Sequence, residues 1–243
     1  MTLLAILSGA GISTDSGIPD YRGPNGLWRR DPEAEKLVTY EYYMGDPEIR
    51  RRSWRMRRDA PTLRAEPNPA HRAVARLERE QNGVAVRVIT QNVDGLHQLA
   101  GVPARKVLEL HGTARSVVCT RCQEQSSMAD ALARVAAGED DPACLSCGGI
   151  LKSATVMFGQ RLDPVLLGEA MGIAKACELF IAVGSSLQVQ PAASLAGIAA
   201  DGGARLVVVN AEPTPYDELA AEVIREPIGT ALPALLERIA AEG

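Results

Sequence analysis

The stretch Leu3-Leu4-Ala5-Ile6-Leu7-Ser8-Gly9-Ala10-Gly11-Ile12-Ser13 decides the fold class. Its first half is an unbroken aliphatic run of strand length, the pattern of a strand covered on both faces. Its second half is a glycine turn that should open a helix. Glycines there permit the tight bend and let backbone N–H groups approach a pyrophosphate at a helix N-terminus. The third glycine of the dinucleotide fingerprint is missing, since Thr14 stands in its place. The turn therefore reads either as a phosphate-facing loop, with Ser13, Thr14 and Ser16 adding hydroxyls, or as a tight strand-to-helix bend and nothing more. A secretion-signal reading fails, because no basic segment precedes the apolar run and glycine follows it directly. We read it as the first buried strand and expect a cytoplasmic protein.

Working outward, similar strand signals recur at residues 84–90, 106–110, 179–183 and 205–210. Helical spacing of apolar residues marks 70–80, 164–176, 192–200 and 231–241. Strands alternating with helices predict an α/β fold with a mostly parallel, doubly wound sheet. Five strands end in small or polar residues: Gly9, Gln91, His111, Gly184 and Asn210. Ligands of such sheets bind beyond the carboxyl ends of the strands, so one cleft should collect all five. Residues 15–59 are rich in Gly, Pro, Arg and Tyr and read as a long loop followed by a short helical section. Residues 119–147 interrupt the rhythm with a polar, cysteine-bearing insert in which 128–137 can form one short helix.

Length and composition bound the function. A chain of 243 residues suits one large domain, or one domain carrying a small insert. Aromatic residues are only 4%, which leaves branched aliphatics and alanine to build the core. A net charge of −4 gives no basic field that would draw the chain onto nucleic acid or a membrane surface, while lysine-bearing peptides remain possible partners. No apolar run approaches the ~20 residues that a membrane-spanning helix needs.

Four of the five cysteines form two pairs, Cys119-x-x-Cys122 and Cys144-x-x-Cys147, separated by twenty-one residues. Four thiolates at this spacing satisfy tetrahedral zinc, and Gly148-Gly149 suits a metal knuckle. No open ligand position is evident, so the ion should be structural. The fifth, Cys177, lies in an apolar stretch and reads as packing.

His111 is one of three histidines, with His71 and His97. It reads either as a satisfied half-buried residue or as a general base. His71, at a helix start, reads as structural, and His97 beside Asp94 stays open. Gln91-Asn92-Val93-Asp94 places two carboxamides and a carboxylate on one loop after a buried strand. These groups can recognise an amide and orient a ribose hydroxyl, or cap a helix through an Asx turn. No acidic residue ends the second strand where an adenosine ribose usually binds, which argues against a hydride-transferring dehydrogenase.

Together these segments resemble the sirtuins, NAD⁺-dependent protein deacylases. The matching pieces run in order along nearly the whole chain. They are Gly9 to Ser13, Ser16-Gly17-Ile18-Pro19-Asp20-Tyr21-Arg22, Thr90-Gln91-Asn92-Val93-Asp94-Gly95-Leu96-His97, Leu110-His111-Gly112, both cysteine pairs, Val156-Met157-Phe158-Gly159, Gly184-Ser185-Ser186-Leu187 and Asn210. The resemblance implies that Gly9, Ala10, Gly11, Thr14, Asp20, Tyr21 and Arg22 line the loop closing over NAD⁺. It places Gln91, Asn92 and Asp94 at the nicotinamide and its ribose, and Gly184, Ser185, Ser186 and Asn210 at the adenosine half. His111 becomes the general base, with Asn92 beside it. Val156, Phe158 and Gly159 on one side, with Leu187 and Val189 on the other, would clamp the substrate backbone as an added strand. In the family's chemistry the acyl oxygen attacks the anomeric carbon as nicotinamide leaves. A ribose hydroxyl activated by the base then attacks the resulting alkylimidate. The products are free lysine, nicotinamide and O-acyl-ADP-ribose.

Two departures bear on substrate choice. Lys152-Ser153 and Phe158-Gly159-Gln160 stand where the family usually has Arg-Pro and Phe-Gly-Glu. Trp54-Arg55-Met56-Arg57 departs from the Tyr-x-x-Arg of members that prefer acidic acyl groups, so the pattern does not support that preference. We expect one monomeric catalytic unit of two lobes. A Rossmann-like lobe comes from about residues 1–24, 76–114 and 150–243, and a small lobe from about 25–75 plus a zinc module at 115–149. The rivals are an ADP-ribosyltransferase or NAD⁺ hydrolase on the same fold, and a non-catalytic NAD⁺-sensing zinc module.

Overall fold

The computed structural model describes residues 1–20, 32–80 and 83–242. Its centre is a parallel sheet of β1 (Thr2–Ser8), β2 (Val84–Thr90), β3 (Val107–Glu109), β7 (Leu179–Val183), β8 (Arg205–Val209) and β9 (Glu222–Ile224). Their spatial order is β3-β2-β1-β7-β8-β9, and every neighbouring pair is parallel. The order reverses between β1 and β7, which is where a doubly wound sheet opens its ligand crevice.

The aliphatic run of β1 is buried on both faces because its side chains alternate. Leu4 and Ile6 join Val86, Val88, Ile181 and Val207 beneath α3 (Pro69–Glu80) and α8 (Ile228–Glu242). Ala5 and Leu7 point the other way, into a layer with Phe180, Ala182 and Val208 beneath α6 (Pro164–Ala176) and α7 (Ser194–Asp201). Each buried branched side chain stabilises by about 1.5–3 kcal/mol, so this strand is a principal anchor of the fold.

The second unit is a three-stranded antiparallel sheet ordered β5-β4-β6, formed by β4 (Gly112–Cys119), β5 (Gln125–Ser127) and β6 (Leu151–Thr155). Helix α5 (Met128–Ala136) packs on it, capped by Ser127, whose Oγ accepts from Ala129 N at 3.1 Å. Two helices before it in the chain clasp this unit: α1 (Tyr40–Gly45) and α2 (Pro47–Asp59). Trp54 of α2 is buried among Val117, Met128, Val135 and Leu151. Tyr43 donates its hydroxyl to the Leu151 carbonyl at 2.6 Å, and Arg50 pairs with Asp141 at 2.8 Å.

Two features differ from the sequence-based expectation. The antiparallel sheet and β9 carry no clear strand signal. β4 is half-exposed along most of its length and β9 is a three-residue edge, so neither needs an aliphatic run. The glycine turn opens a seven-residue 3-10 segment, Ala10–Ser16, rather than an α-helix. Side chains take carbonyls there that an α-helix would use. Asn68 Nδ2 donates to Ile12 O at 2.7 Å, and Thr14 Oγ1 donates to Gly11 O at 2.9 Å.

Candidate functional site

A cleft of about 1330 Å³ opens at the carboxyl ends of β1, β2, β3, β7 and β8. Gly9, Ala10, Gly11, Thr14, Asp20, Gln91, Asn92, Asp94, His111, Gly184, Ser185, Ser186 and Asn210 all line it. The five strand ends read from the sequence therefore do converge. Tyr21 and Arg22 lie outside the described residues.

The glycines act first on each other. A Cβ on Gly11 would lie 2.8 Å from Gly184 Cα, and one on Gly184 only 2.4 Å from Ile12 N. Gly184 also sits at φ 61°, which side chains rarely adopt. The loops after β1 and β7 thus interlock at the switch point, held by Gly11 N donating to Gly184 O at 2.8 Å. Close backbone approach, rather than a helix N-terminus, is what these glycines permit.

The loop after β2 is held as one polar unit. Asn92 Nδ2 donates to Gly9 O at 3.1 Å and to Ser13 Oγ at 3.2 Å, and Ser13 Oγ donates to Asp94 Oδ2 at 2.7 Å. The other Asp94 oxygen accepts from Leu96 N at 2.9 Å, capping α4 (Leu96–Leu99). The Asx-turn reading of this loop is met by that bond, and both Asp94 oxygens are engaged in hydrogen bonds within the protein. Gln91 Nε2 donates to Ser185 Oγ at 2.8 Å, tying the two halves of the cleft together.

His111 is half-buried, and its Nδ1 lies 2.8 Å from the Gln91 carbonyl. A carbonyl only accepts, so Nδ1 carries the proton and Nε2 is left as the basic nitrogen. Burial lowers the His111 pKa, partly offset by the hydrogen bond to Gln91, so the neutral base prevails at pH 7. The His111 carbonyl in turn accepts from Val156 N at 2.8 Å, placing the segment after β6 beside the base.

Val156, Phe158, Gly159 and Val189 border the same cleft. Leu187 does not: its side chain is 2% exposed and packs in the core, while its backbone turns at φ 52°. It can offer a substrate only main-chain groups. Phe158 already donates its N–H to Val38 O at 3.0 Å and accepts from Tyr40 N at 2.9 Å. An added strand must therefore take its bonds from Gly159 and its neighbours. Of the residues weighed for acyl choice, Arg57 lines the cleft and Trp54 is in the core.

Asn68, which stands between two prolines, is a residue of this site that the sequence analysis did not single out. Its carboxamide bridges Ile12 O and Ser16 Oγ (3.0 Å), while its Oδ1 accepts from Ala70 N at 3.0 Å. Asparagine just ahead of a helix-starting proline was the available signal.

His71 and His97 sit away from the cleft, with ring centroids 5.0 Å apart in an edge arrangement. His97 Nε2 lies 2.9 Å from Ser8 Oγ, which itself donates to Thr90 Oγ1 at 2.8 Å. Both rings are buried, and burial pushes their pKa values from 6.5 down to about 4 and about 3. The neutral rings suit the fold above pH 6.5, and that stability is lost progressively as the pH falls from 6.5 through about 4 and about 3. The urea midpoint should drop steeply across this window. His71→Leu should flatten the slope by up to about 1.4 kcal/mol per pH unit. An unchanged slope in that variant would show that His71 is not held neutral.

The four sulfurs of Cys119, Cys122, Cys144 and Cys147 lie within 4.8 Å of one another. Cys119–Cys147 and Cys122–Cys144 are 3.5 and 3.7 Å apart, close to the ~3.8 Å between thiolates on one tetrahedral zinc and far beyond a disulfide's ~2.05 Å. A Cβ on Gly149 would stand 2.8 Å from Cys119 Sγ, so the knuckle needs glycine there. The donor set fits a single zinc ion. Cys177 is buried, as its apolar context predicts, and its thiol is pushed up to about 11 by burial.

Comparison with known proteins agrees with this geometry. A family model described as the Sir2 family matches residues 9–191. The NAD-dependent protein deacetylase 2 of Streptomyces coelicolor is 80% identical over 96% of this chain and 96% of its own length. That of Sulfolobus acidocaldarius is 46% identical over 96% of this chain and 88% of its own. A Sir2 structure with a p53 peptide and NAD⁺ superposes with a TM-score of 0.86 at 35% identity, covering 98% of this chain and 94% of that one. Because these matches span both the interlocked glycine loops and the segment beside His111, the chain belongs to the Sir2 family.

Proposed function

We propose that the protein removes acyl groups from protein lysines, consuming NAD⁺ and releasing nicotinamide and O-acyl-ADP-ribose. The observation that carries this reading is the fixed tautomer of His111, whose own carbonyl holds the segment that would seat the substrate. Relatives named NAD-dependent protein deacetylases, and Sir2 structures holding NAD⁺ or an acetylated peptide, support it.

Gly9, Ala10, Gly11, Thr14, Asp20, Tyr21 and Arg22 would close over the dinucleotide. Gly184, Ser185, Ser186 and Asn210 would hold its adenosine half. Bound NAD⁺ supplies an activated glycosidic carbon and a ribose hydroxyl. Gln91, Asn92 and Asp94 would orient that end, their side chains already braced by Ser185, Gly9 and Ser13. His111 Nε2 would take the proton from the ribose hydroxyl, and its Nδ1–H bond to Gln91 stabilises the imidazolium that forms. Val156, Phe158 and Gly159 on one side, with the main chain of Leu187 and Val189 on the other, would clamp the substrate backbone. The lobes would be the parallel sheet and the zinc-bearing unit, with the cleft between them.

We take the enzyme to act on acylated-lysine peptides as a cytoplasmic monomer that binds no nucleic acid. Its net charge of −4 supports the last of these, since it gives no basic field to draw the chain onto nucleic acid. No helix among the described residues is long and apolar enough to cross a membrane. Mass spectrometry of an acetyl-lysine peptide, with and without NAD⁺, tests the activity. Acyl loss only with NAD⁺, matched by O-acetyl-ADP-ribose, is the expected result. A succinyl, malonyl and longer-acyl panel then ranks the acyl groups. Nicotinamide release with no acyl loss from any peptide would favour ADP-ribosyl transfer or NAD⁺ hydrolysis instead.

A further inference from the structure

A shallow side pocket of about 200 Å³ adjoins the substrate wall of the main cleft. It shares Thr155, Val156, Gln160 and Arg161 with that cleft and adds Lys152 and Gln125. Two cations and two carboxamides thus face it, and no acidic side chain lines it among the described residues. In a chain of net charge −4, that local excess of positive charge stands out.

The individual groups suit an anion. Gln160 Oε1 accepts from Met157 N at 3.1 Å, which leaves the Nε2 donor of its amide available to a ligand. Lys152 Nζ donates to the carbonyls of Ser153 and Thr155, each at 2.8 Å, which leaves one further N–H. Neither Lys152 nor Arg161 has a carboxylate partner among the described residues. Burial and the nearby Arg57 charge push the Lys152 ammonium down to about 8, the mark of a buried cation without a counter-ion. Arg161 is exposed at the rim, where it can meet an arriving side chain.

We propose that this pocket receives the carboxylate of an aspartate or glutamate close to the acyl-lysine in the substrate, making the enzyme selective for acidic sequence contexts. The proposal rests on the deacylase reading of the adjoining cleft. Lys152 supplies a fixed charge behind the clamp segment, Arg161 a mobile one at its edge, and Gln160 a neutral donor between them. A glutamate at position 160 would keep the hydrogen bond to Met157 but would repel such a substrate.

The test is steady-state kinetics on acetyl-lysine peptides that carry Asp or its isostere Asn at each neighbouring position in turn. At one or more positions Asp should raise kcat/KM over Asn by roughly 3- to 10-fold, mostly through KM, and the gain should shrink in about 1 M salt. Arg161→Gln should remove most of the gain, read within that variant as the ratio of kcat/KM for Asp over Asn peptides. Gln160→Glu should reverse the preference. Equal rates for Asp and Asn peptides at every position would overturn the proposal, as would an undiminished preference in Arg161→Gln. Failure to deacylate any peptide, neutral ones included, would overturn the deacylase reading and the proposal with it. Turnover without preference removes only the proposal.

Discussion

Replacing His111 with alanine should lower the deacylation rate by about 10²–10⁴-fold while leaving fold and zinc content intact. The expectation follows from what the imidazole touches. Its Nδ1 donates to one backbone carbonyl, Gln91 O, at 2.8 Å, so the side chain serves the site and little of the core. Truncation frees a carbonyl at the edge of an open cleft, where water can satisfy it, and the stability loss should stay near 1 kcal/mol. The rate loss should appear in kcat as well as kcat/KM, because the base acts after substrate is bound. In the wild type, burial lowers the His111 pKa, so the acid limb of the pH–rate profile should bend below the ordinary histidine value of 6.5. Activity is retained above that inflection and lost beneath it, as the ring takes up a proton and ceases to be a base. The limb should vanish in His111→Gln, whose residual rate should not follow a histidine titration. Near-normal turnover in His111→Ala would remove the residue from the mechanism.

Stripping zinc, or replacing Cys147 with serine, should unfold the small unit and abolish activity without touching the cleft's polar residues. A structural tetrathiolate site contributes about 10–16 kcal/mol in small metal-folded domains. Whole domains are stable by only about 5–15 kcal/mol, and this unit's own apolar cluster is small. The damage should propagate along β6, which runs directly into Val156 and the substrate wall. Trp54 is fully buried against this unit, so its fluorescence should shift to the red, while the parallel sheet and its helices keep most of the far-UV dichroism. Zinc content and activity should fall together during chelation. A zinc-free sample that is folded and fully active would contradict this account.

What could be read from sequence shares a physical basis. Residues 3–8, 84–90, 179–183 and 205–209 became strands because local composition suffices when both faces of a strand are buried. The four cysteines were legible for a similar reason, since tetrahedral thiolate ligation imposes the Cys-x-x-Cys spacing within each pair. Convergence at the strand ends followed from chain order, because parallel strands joined by helices all point the same way.

Other features depend on partners far along the chain. The antiparallel β4–β6 pairing joins half-exposed segments whose strand character comes from each other. The 3-10 form of residues 10–16 depends on the Asn68 carboxamide 56 residues later. Leu187 borders the proposed clamp in sequence, yet its backbone lies at φ 52° and its side chain packs in the core, which leaves its main chain for a substrate. His97 sits beside Asp94 in sequence, yet it joins Ser8 and His71 in the interior. The amino-acid sequence by itself determined the α/β class, the strand ends that would meet and the four cysteines that cluster, because periodicity and ligand spacing act over a few residues. Only the tertiary structure decided which carbonyl sets the tautomer of His111, which glycines interlock and that Lys152 and Arg161 share a pocket, since those contacts join residues that the chain keeps apart.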